Sequence, residues 1–534
     1  MKNKSFILLL FFALTLMNCA KRGSITGGDK DITPPKMISS YPKNFSTDFK
    51  EKSIRITFDE YIKINDLQKN LIISPPLKNQ PNIQPVGGVS KQLTIKFNEE
   101  LIPNATYSFN FGESIADNNE GNKLKNFQYV FSTGKNLDSL SIQGIIKDAY
   151  ERATPNFVNV MLYEVDEKYN DSTIYKQTPR YITNTLDSTA TFKIENIKAG
   201  KYKLIALKEN VSNYKYDPKK DKIGVYNQVI NIPDNSIFEL ELYKEQPPFK
   251  PKRPTQASGN RILLGYEGNN IQNIQIQAQL KGNKIPVRVS KIQDKDSLQI
   301  WTPYIKNDSI QLELSKDKYQ ERYSVKFKEY KKDTLHLDSK TSYLHLKENF
   351  ALKSSTPIEK WDINKILLTK GNKTLIPFKA KYEDYTQKFV LDFEKEENEK
   401  YDLKLLPGAI EDYIGNKNKD TLKFNFSTKK VEDYGNLKIH FKNKKNTPLI
   451  VELTNEKGKV FYTKPVSGNT TDVDFILINP EKYYIRVIYD LNNNGQWDAG
   501  SFLENKQPEE VYHFPTILDV RANWDVNQEI DLGK

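Results

Sequence analysis

Cysteine is almost absent from this chain of 534 residues: Cys19 is the only one. No intramolecular disulfide can therefore brace the fold, and no cysteine nucleophile or thiolate metal set is available beyond it. Histidine is scarce too. His336, His345, His440 and His513 make no HExxH pair, which argues against a zinc enzyme. There is no GxSxG elbow and no glycine-rich phosphate loop. Helical periodicity over more than two turns is nearly missing. Only one long apolar run occurs, Phe6 to Met17, and it falls short of the roughly 20 residues that span a bilayer. No charge sign dominates locally. Lys plus Arg is 80 against 68 for Asp plus Glu, a net +12, but the signs interleave, as in "DPKKDKIG" and "EKEENEK". That is a solvated surface and not the single-sign stripe of a nucleic-acid binder, so no nucleic-acid partner is expected.

What is present starts at the N-terminus. In "MKNKSFILLLFFALTLMNC", two lysines precede the apolar run and Cys19 follows it. The stretch resembles a bacterial lipoprotein signal, with "LMNC" in the place of the lipobox. The resemblance implies that residues 1–18 are removed and that Cys19 is lipidated, making the membrane a partner through a lipid anchor. Asn18 departs from the small residue usual before such a cysteine. Residues 19–32, rich in Gly, Pro and charge, read as a flexible tether.

Beyond the tether the length predicts about three to five domains of roughly 100 to 150 residues. Runs such as "SIRITFDEYI", "TYSFNF", "TATFKIENI" and "KYKLIAL", cut by Asn, Asp, Gly and Pro turns, predict an all-β chain of tandem sandwiches. Internal repeats suggest boundaries. Tyr107, Asp117, Gly121 and Thr133 have counterparts in Tyr401, Asp412, Gly415 and Thr428. "SIRITFDEYIKINDLQKNLIISPP" with "IADNNEGN…FSTG" resembles the SbsA-type bacterial Ig-like domain over 33–135. Residues 340–430 read as a weaker copy. That family is an immunoglobulin-like sandwich without catalytic residues. The "GxIxD" opening and "AGKY" turn of 139–245 resemble the transthyretin-like, carboxypeptidase-regulatory sandwich, and 433–534 repeats that layout. A Pro-rich linker is expected at 246–260, and a sandwich of no assigned family at 261–339.

One motif has metal-binding spacing. "YDLNNNGQWDAG" puts Asp490, Asn492, Asn494 and Asp498 at positions 1, 3, 5 and 9, with Gly495 at position 6. With the Gln496 carbonyl these could give five oxygens to a calcium ion, in the weak range of about 10⁻⁴ to 10⁻³ M. The other reading is a polar turn, since Asn and Asp bond their own backbone. Calcium is the one candidate cofactor. A degenerate version, "ENVSNYKYD", has Glu209, Asn213 and Asp217 at positions 1, 5 and 9 but Val211 at position 3.

Two weaker patterns remain. Asp followed by Ser or Thr and an apolar or Thr residue, at Ser139, Ser172, Ser188, Ser297, Ser309, Thr334 and Thr421, resembles the O-glycosylation motif of Bacteroidota envelope proteins. The alternative is that these residues start strands after turns. Trp301, Tyr304 and Trp361 could stack on a sugar ring, or fill cores as strand aromatics usually do. Carboxylate pairs such as those in "FDEY" are too common here to establish a glycosidase. The expectation is a non-enzymatic envelope lipoprotein on the outer membrane, spacing and presenting binding surface to an envelope protein partner. Ala20-Lys21-Arg22 lacks the acidic run of a surface-export signal, which points to the periplasmic face. The alternative is a surface-exposed glycan-binding or adhesive lipoprotein.

Overall fold

A computed structural model describes residues 30–185, 190–268, 271, 274–316, 319–371 and 373–533. Residues 1–29, with Cys19, and Ser188 lie outside the described residues. The chain is 49% strand and 3% helix. Its main sheets stack in five successive pairs, giving tandem β-sandwiches. The strand Ser53–Ile64 shows why. Ile54, Ile56, Phe58 and Ile62 are fully buried on one face while Arg55, Asp59 and Tyr61 face water, the period-2 pattern of a half-covered sheet. The pairing with Ser90–Lys96 shifts register between Thr57 and Ile62, and Ile62–Ile64 takes Ile115–Asp117 on the opposite edge.

The first and fourth sandwiches share more than strand order. Tyr107 Oη accepts the N–H of Ile102 at 2.9 Å, and Tyr401 Oη accepts that of Glu396 at 2.8 Å, in both cases five residues upstream. Tyr107 stacks on Phe131 and Tyr401 on Phe426. Asp117 takes the backbone N–H groups of Glu120, Gly121 and Asn122, while Asp412 takes those of Ile414 and Asn416. The repeated residues therefore do repeated structural work: they tie a corner and close a turn.

The second and last sandwiches share another topology. Each has a three-stranded sheet whose first strand runs parallel to its last: Leu140–Asp148 with Ile237–Leu242, and Gly435–Lys442 with Asp525–Asp531. Tyr202 and Tyr483 donate their hydroxyls to the carbonyls of Lys198 and Asn479, each four residues upstream, at 2.9 and 2.6 Å.

Three readings change. "KYKLIAL" does not alternate: Tyr202 to Leu207 are all buried. Tyr202, Leu204 and Ala206 face the sandwich core, whereas Ile205 and Leu207 face a separate cluster outside it. That sheet is covered on both faces. The 246–260 segment, read as a spacer, supplies two short edge strands, Lys250–Pro251 and Thr255–Ser258, against Arg261–Glu267. Edge positions suit proline because one ladder side stays unused. Finally, Leu337–Asp338, read as the end of the third unit, pairs with Phe350–Ser354 of the fourth.

The five sandwiches do not form a simple row. The last packs on the second, more than two hundred residues earlier, while Lys219–Glu267, Arg288–Asp384 and His345–Leu477 contacts join the successive neighbours. Units two to five therefore close into a circuit. The first attaches to the second through Ile72 and a Ser74 hydroxyl that accepts the Ile182 N–H.

Candidate functional site: the 490–509 loop on the second sandwich

The strand Glu481–Tyr489 ends at Asp490, and the chain loops out until Val511–His513. Asp490 is only 3% exposed, and its carboxylate accepts the N–H groups of Asn494 and Gly495, both at 2.9 Å. Gly495 has φ +75 and Asn493 φ +55, conformations that glycine and asparagine adopt at little cost. Asn492 Oδ1 takes the Asn494 N–H and Asn494 Oδ1 takes the Gln496 N–H. The side-chain amides of Asn492 and Asn494 both donate to the Asp498 carboxylate. The five residues picked from spacing are thus brought together. They form a loop closed by its own hydrogen bonds, with two amide nitrogens facing Asp498. Among the described residues, no group of three or more His, Cys, Asp or Glu is arranged as a metal-binding set. A calcium ion would need both amides to turn their oxygens inward.

Spacing missed Glu509. This carboxylate, 5% exposed, clamps the loop at both ends by accepting the N–H groups of Leu491 at 2.8 Å and Asp498 at 3.0 Å. Burial raises its pKa, and Asp498 and Asp490 push it further the same way. The second sandwich carries the same device. Asp221, 4% exposed, accepts from Asn210 at 3.1 Å and Asp217 at 2.9 Å, which are again loop positions 2 and 9. Glu209 accepts the N–H of Asn213, position 5, as Asp490 does that of Asn494. In each case the clamp lies just before the next strand, and that is the sequence signal that could have found it.

The loop does not stand free. Phe502, 6% exposed, joins Tyr243, Met161, Tyr163 and Ile205 in the cluster on the outer face of the second sandwich. Its N–H donates to Glu245 at 2.6 Å, whose other oxygen takes the Tyr216 hydroxyl at 2.6 Å. Trp497 is fixed by its indole N–H on the Glu509 carbonyl, 3.0 Å, and by the Tyr150 ring, 4.7 Å between centroids. Gln507 reaches the carbonyl of Val225 and the side chain of Asn227.

Below the loop lies Arg486, 2% exposed and, among the described residues, the one cationic side chain of the largest fully buried groups. Its guanidinium bonds Glu452 at 2.7 Å and the Tyr150 hydroxyl at 2.9 Å, and sits 3.8 Å from the Tyr150 ring centre. Arg152 donates to the carbonyls of Phe514 and Pro515, both at 2.7 Å. His513 is half-buried beside these two arginines. Burial first, and then their charge, hold its pKa down to about 4. This is interface chemistry, with charges paired and aromatic faces filled.

The other sequence candidates scatter. Trp301 is in the core of the third sandwich, its indole on Ser290 at 3.0 Å, whereas Tyr304 and Trp361 are partly exposed. Ser139, Ser172, Ser309, Thr334 and Thr421 are exposed and Ser297 is half-buried at a strand start. Asp308 accepts the N–H of Ser309 at 2.8 Å.

Residues 31–133 match the family described as a bacterial Ig-like domain. No curated protein matches the sequence. Among solved structures, the chain resembles the Bacteroides ovatus mixed-linkage glucan utilization locus protein SGBP-B in complex with a mixed-linkage heptasaccharide. There the identity is 10% and the TM-score 0.19, over 72% of this chain and 91% of that one. The S-layer protein rSbsC is similar at 11% identity and TM-score 0.14, over 91% and 67% respectively. The titin z1z2 domains bound to telethonin are similar at 9% and 0.13, over 35% and 97%. Likenesses this remote say nothing about activity.

Proposed function

We propose that this chain is a non-enzymatic envelope scaffold. A lipid on Cys19 holds it to the outer membrane on the periplasmic side, and the array of sandwiches presents surface to an envelope protein partner. The observation that carries the scaffold reading is the docking of the last sandwich on the second through Arg486, Trp497 and Phe502. That contact makes one body with clefts at its junctions out of modules too small to offer much binding surface singly. In this reading a calcium ion on Asp490, Asn492, Asn494, the Gln496 carbonyl and Asp498 would stiffen the loop and so brace the docking. Exposed Ser and Thr residues after aspartate would carry glycans.

The anchor is tested by replacing Cys19 with alanine and fractionating cells. The variant should leave the membrane fraction, and unchanged membrane attachment would overturn the anchor. Protease added to intact cells should leave the chain whole. Cleavage there would move it to the cell surface, where glycan binding or adhesion is the better reading.

A further inference from the structure

The second, third and last sandwiches meet at a cleft of about 770 Å³. Its aromatic surface is the half-buried Trp497 from the last unit, while Tyr266 of the third closes its floor from within that unit's core. Trp497 is fixed by its hydrogen bond to the Glu509 carbonyl and by the Tyr150 ring, so the indole is preorganised. Tyr266 is 3% exposed and packs on Phe249. The opposite wall is held close by Gly268, φ +88, where a Cβ would fall 2.4 Å from the Pro247 carbonyl oxygen. The cleft is therefore built before any ligand arrives, and its volume is in the range of about 300 to 1,000 Å³ common to small-ligand pockets.

The polar lining balances. Lys219, Lys244 and Lys252 stand against Glu245, Glu267 and Asp296. Some of these charges are already spent: Glu267 pairs with Lys219 at 2.9 Å and with Lys252 at 4.0 Å, and Glu245 is held by Tyr216 and Phe502. The charged groups that remain exposed at the rim are Lys244 and Asp296, the latter in the field of Lys291, and Gln246 adds a neutral amide. A polyanion would meet Asp296 and a polycation Lys244. A neutral ligand carrying hydroxyls and a flat apolar face would satisfy both and lie against the Trp497 indole.

We infer that this cleft, with Trp497, Lys244 and Asp296 at its surface, binds a neutral carbohydrate. The inference deepens the scaffold reading and rests on the chain being a binding protein, but not on its membrane address or on calcium. The test is affinity electrophoresis of the full chain in detergent, through native gels containing starch, galactomannan, xyloglucan or laminarin, with alginate as the polyanion. At least one neutral polysaccharide should retard the protein and alginate should not. Trp497→Ala should weaken retardation roughly tenfold. Because that change also disturbs the loop, the Lys244→Ala/Asp296→Ala double variant, at exposed positions, should weaken it too. Trp524→Ala, at a half-exposed tryptophan outside the cleft, should leave retardation unchanged. Three results would overturn the inference: no retardation by any neutral polysaccharide, retardation insensitive to both cleft changes, or preference for alginate. None of these would touch the Cys19 anchor or the protein partner, which other experiments test.

Discussion

In the second sandwich the loop leaves its strand at Glu209 and is closed by Asp221; in the last it leaves at Asp490 and is closed by Glu509. Positions 2, 5 and 9 donate to the same kinds of oxygen in both. The difference lies in what fills the interior. At position 6 the last sandwich has Gly495 at φ +75, and the second has Tyr214 at φ +58. A bulky residue in that conformation costs about 1–2 kcal/mol. Tyr214 offsets the cost by packing in the apolar cluster and by accepting the Tyr163 hydroxyl on its carbonyl. Position 3 is the exposed Val211 in one loop and Asn492 in the other. One loop is thus closed by apolar packing over its own sheet. The other is closed by amides and carboxylates and sends Trp497 and Phe502 across to a neighbour. The same backbone frame serves as a self-cover in one unit and as a docking arm in the other.

The sharpest way to break this contrast is to remove the cation under the docking arm. Arg486→Ala would leave Glu452 buried without its partner and should cost about 3–5 kcal/mol, lowering the thermal midpoint of the last sandwich most. Replacing Arg152, exposed and bonded to carbonyls, should cost far less.

Next in size come the loop acids. Asp490→Ala leaves the Gly495 N–H without its acceptor and the Asn494 N–H on Asn492 Oδ1 alone, and should cost about 1–3 kcal/mol, read by chemical denaturation. Glu209→Gln should cost less, because burial, with Asp221 beside it, already raises the Glu209 pKa to about 7. If Glu209→Gln proved the more damaging change, the two loops would not differ as described.

Calcium sharpens the same contrast. With a dissociation constant of about 10⁻⁴ to 10⁻³ M, 10 mM calcium should stabilise the last sandwich by about 1–3 kcal/mol, and Asn492→Ala should abolish the effect. The second sandwich should not respond, since Val211 offers no side-chain oxygen. A thermal midpoint unmoved by calcium or chelator would make the 490–498 loop a turn only.

The pH response has opposite signs in the two places. The His513 pKa is lowered from 6.5 to about 4, so the unfolded chain takes up a proton before the folded one does. Its contribution is full above about pH 6.5 and is lost as pH falls towards 4. Glu209 is raised from 4.5 to about 7; its contribution is full below 4.5 and is lost as pH rises through 7. Hydrogen exchange from pH 4.5 to 7.5 should show the docking arm tightening and the second-sandwich loop loosening. His513→Phe should remove the first trend alone.

Much of this architecture was legible because a half-buried strand writes its period into the sequence, as Ile54, Ile56 and Phe58 do. The repeated Tyr, Asp and Thr positions were legible because each has one fixed structural task. Positions 1, 5 and 9 of both loops could be read for the same reason. The clamps Asp221 and Glu509 escaped because they lie at different distances downstream and are different acids. The docking escaped because it joins residues far apart in sequence. Its trace was there, however: "VNVMLYEV" and "LIVEL" are apolar without alternation, which a sheet facing water on one side would not be.

The most direct measurement targets the contact between the second and last sandwiches. In a Cys19→Ser background, cysteines would be placed at Asn227 and Gln507, whose side chains touch across that junction. The full chain would then be treated at low concentration with a short bismaleimide. A docked last sandwich predicts fast intramolecular cross-linking, slowed by Arg486→Ala. Cross-linking that is absent, or that occurs only between chains, would mean the five sandwiches form an open row.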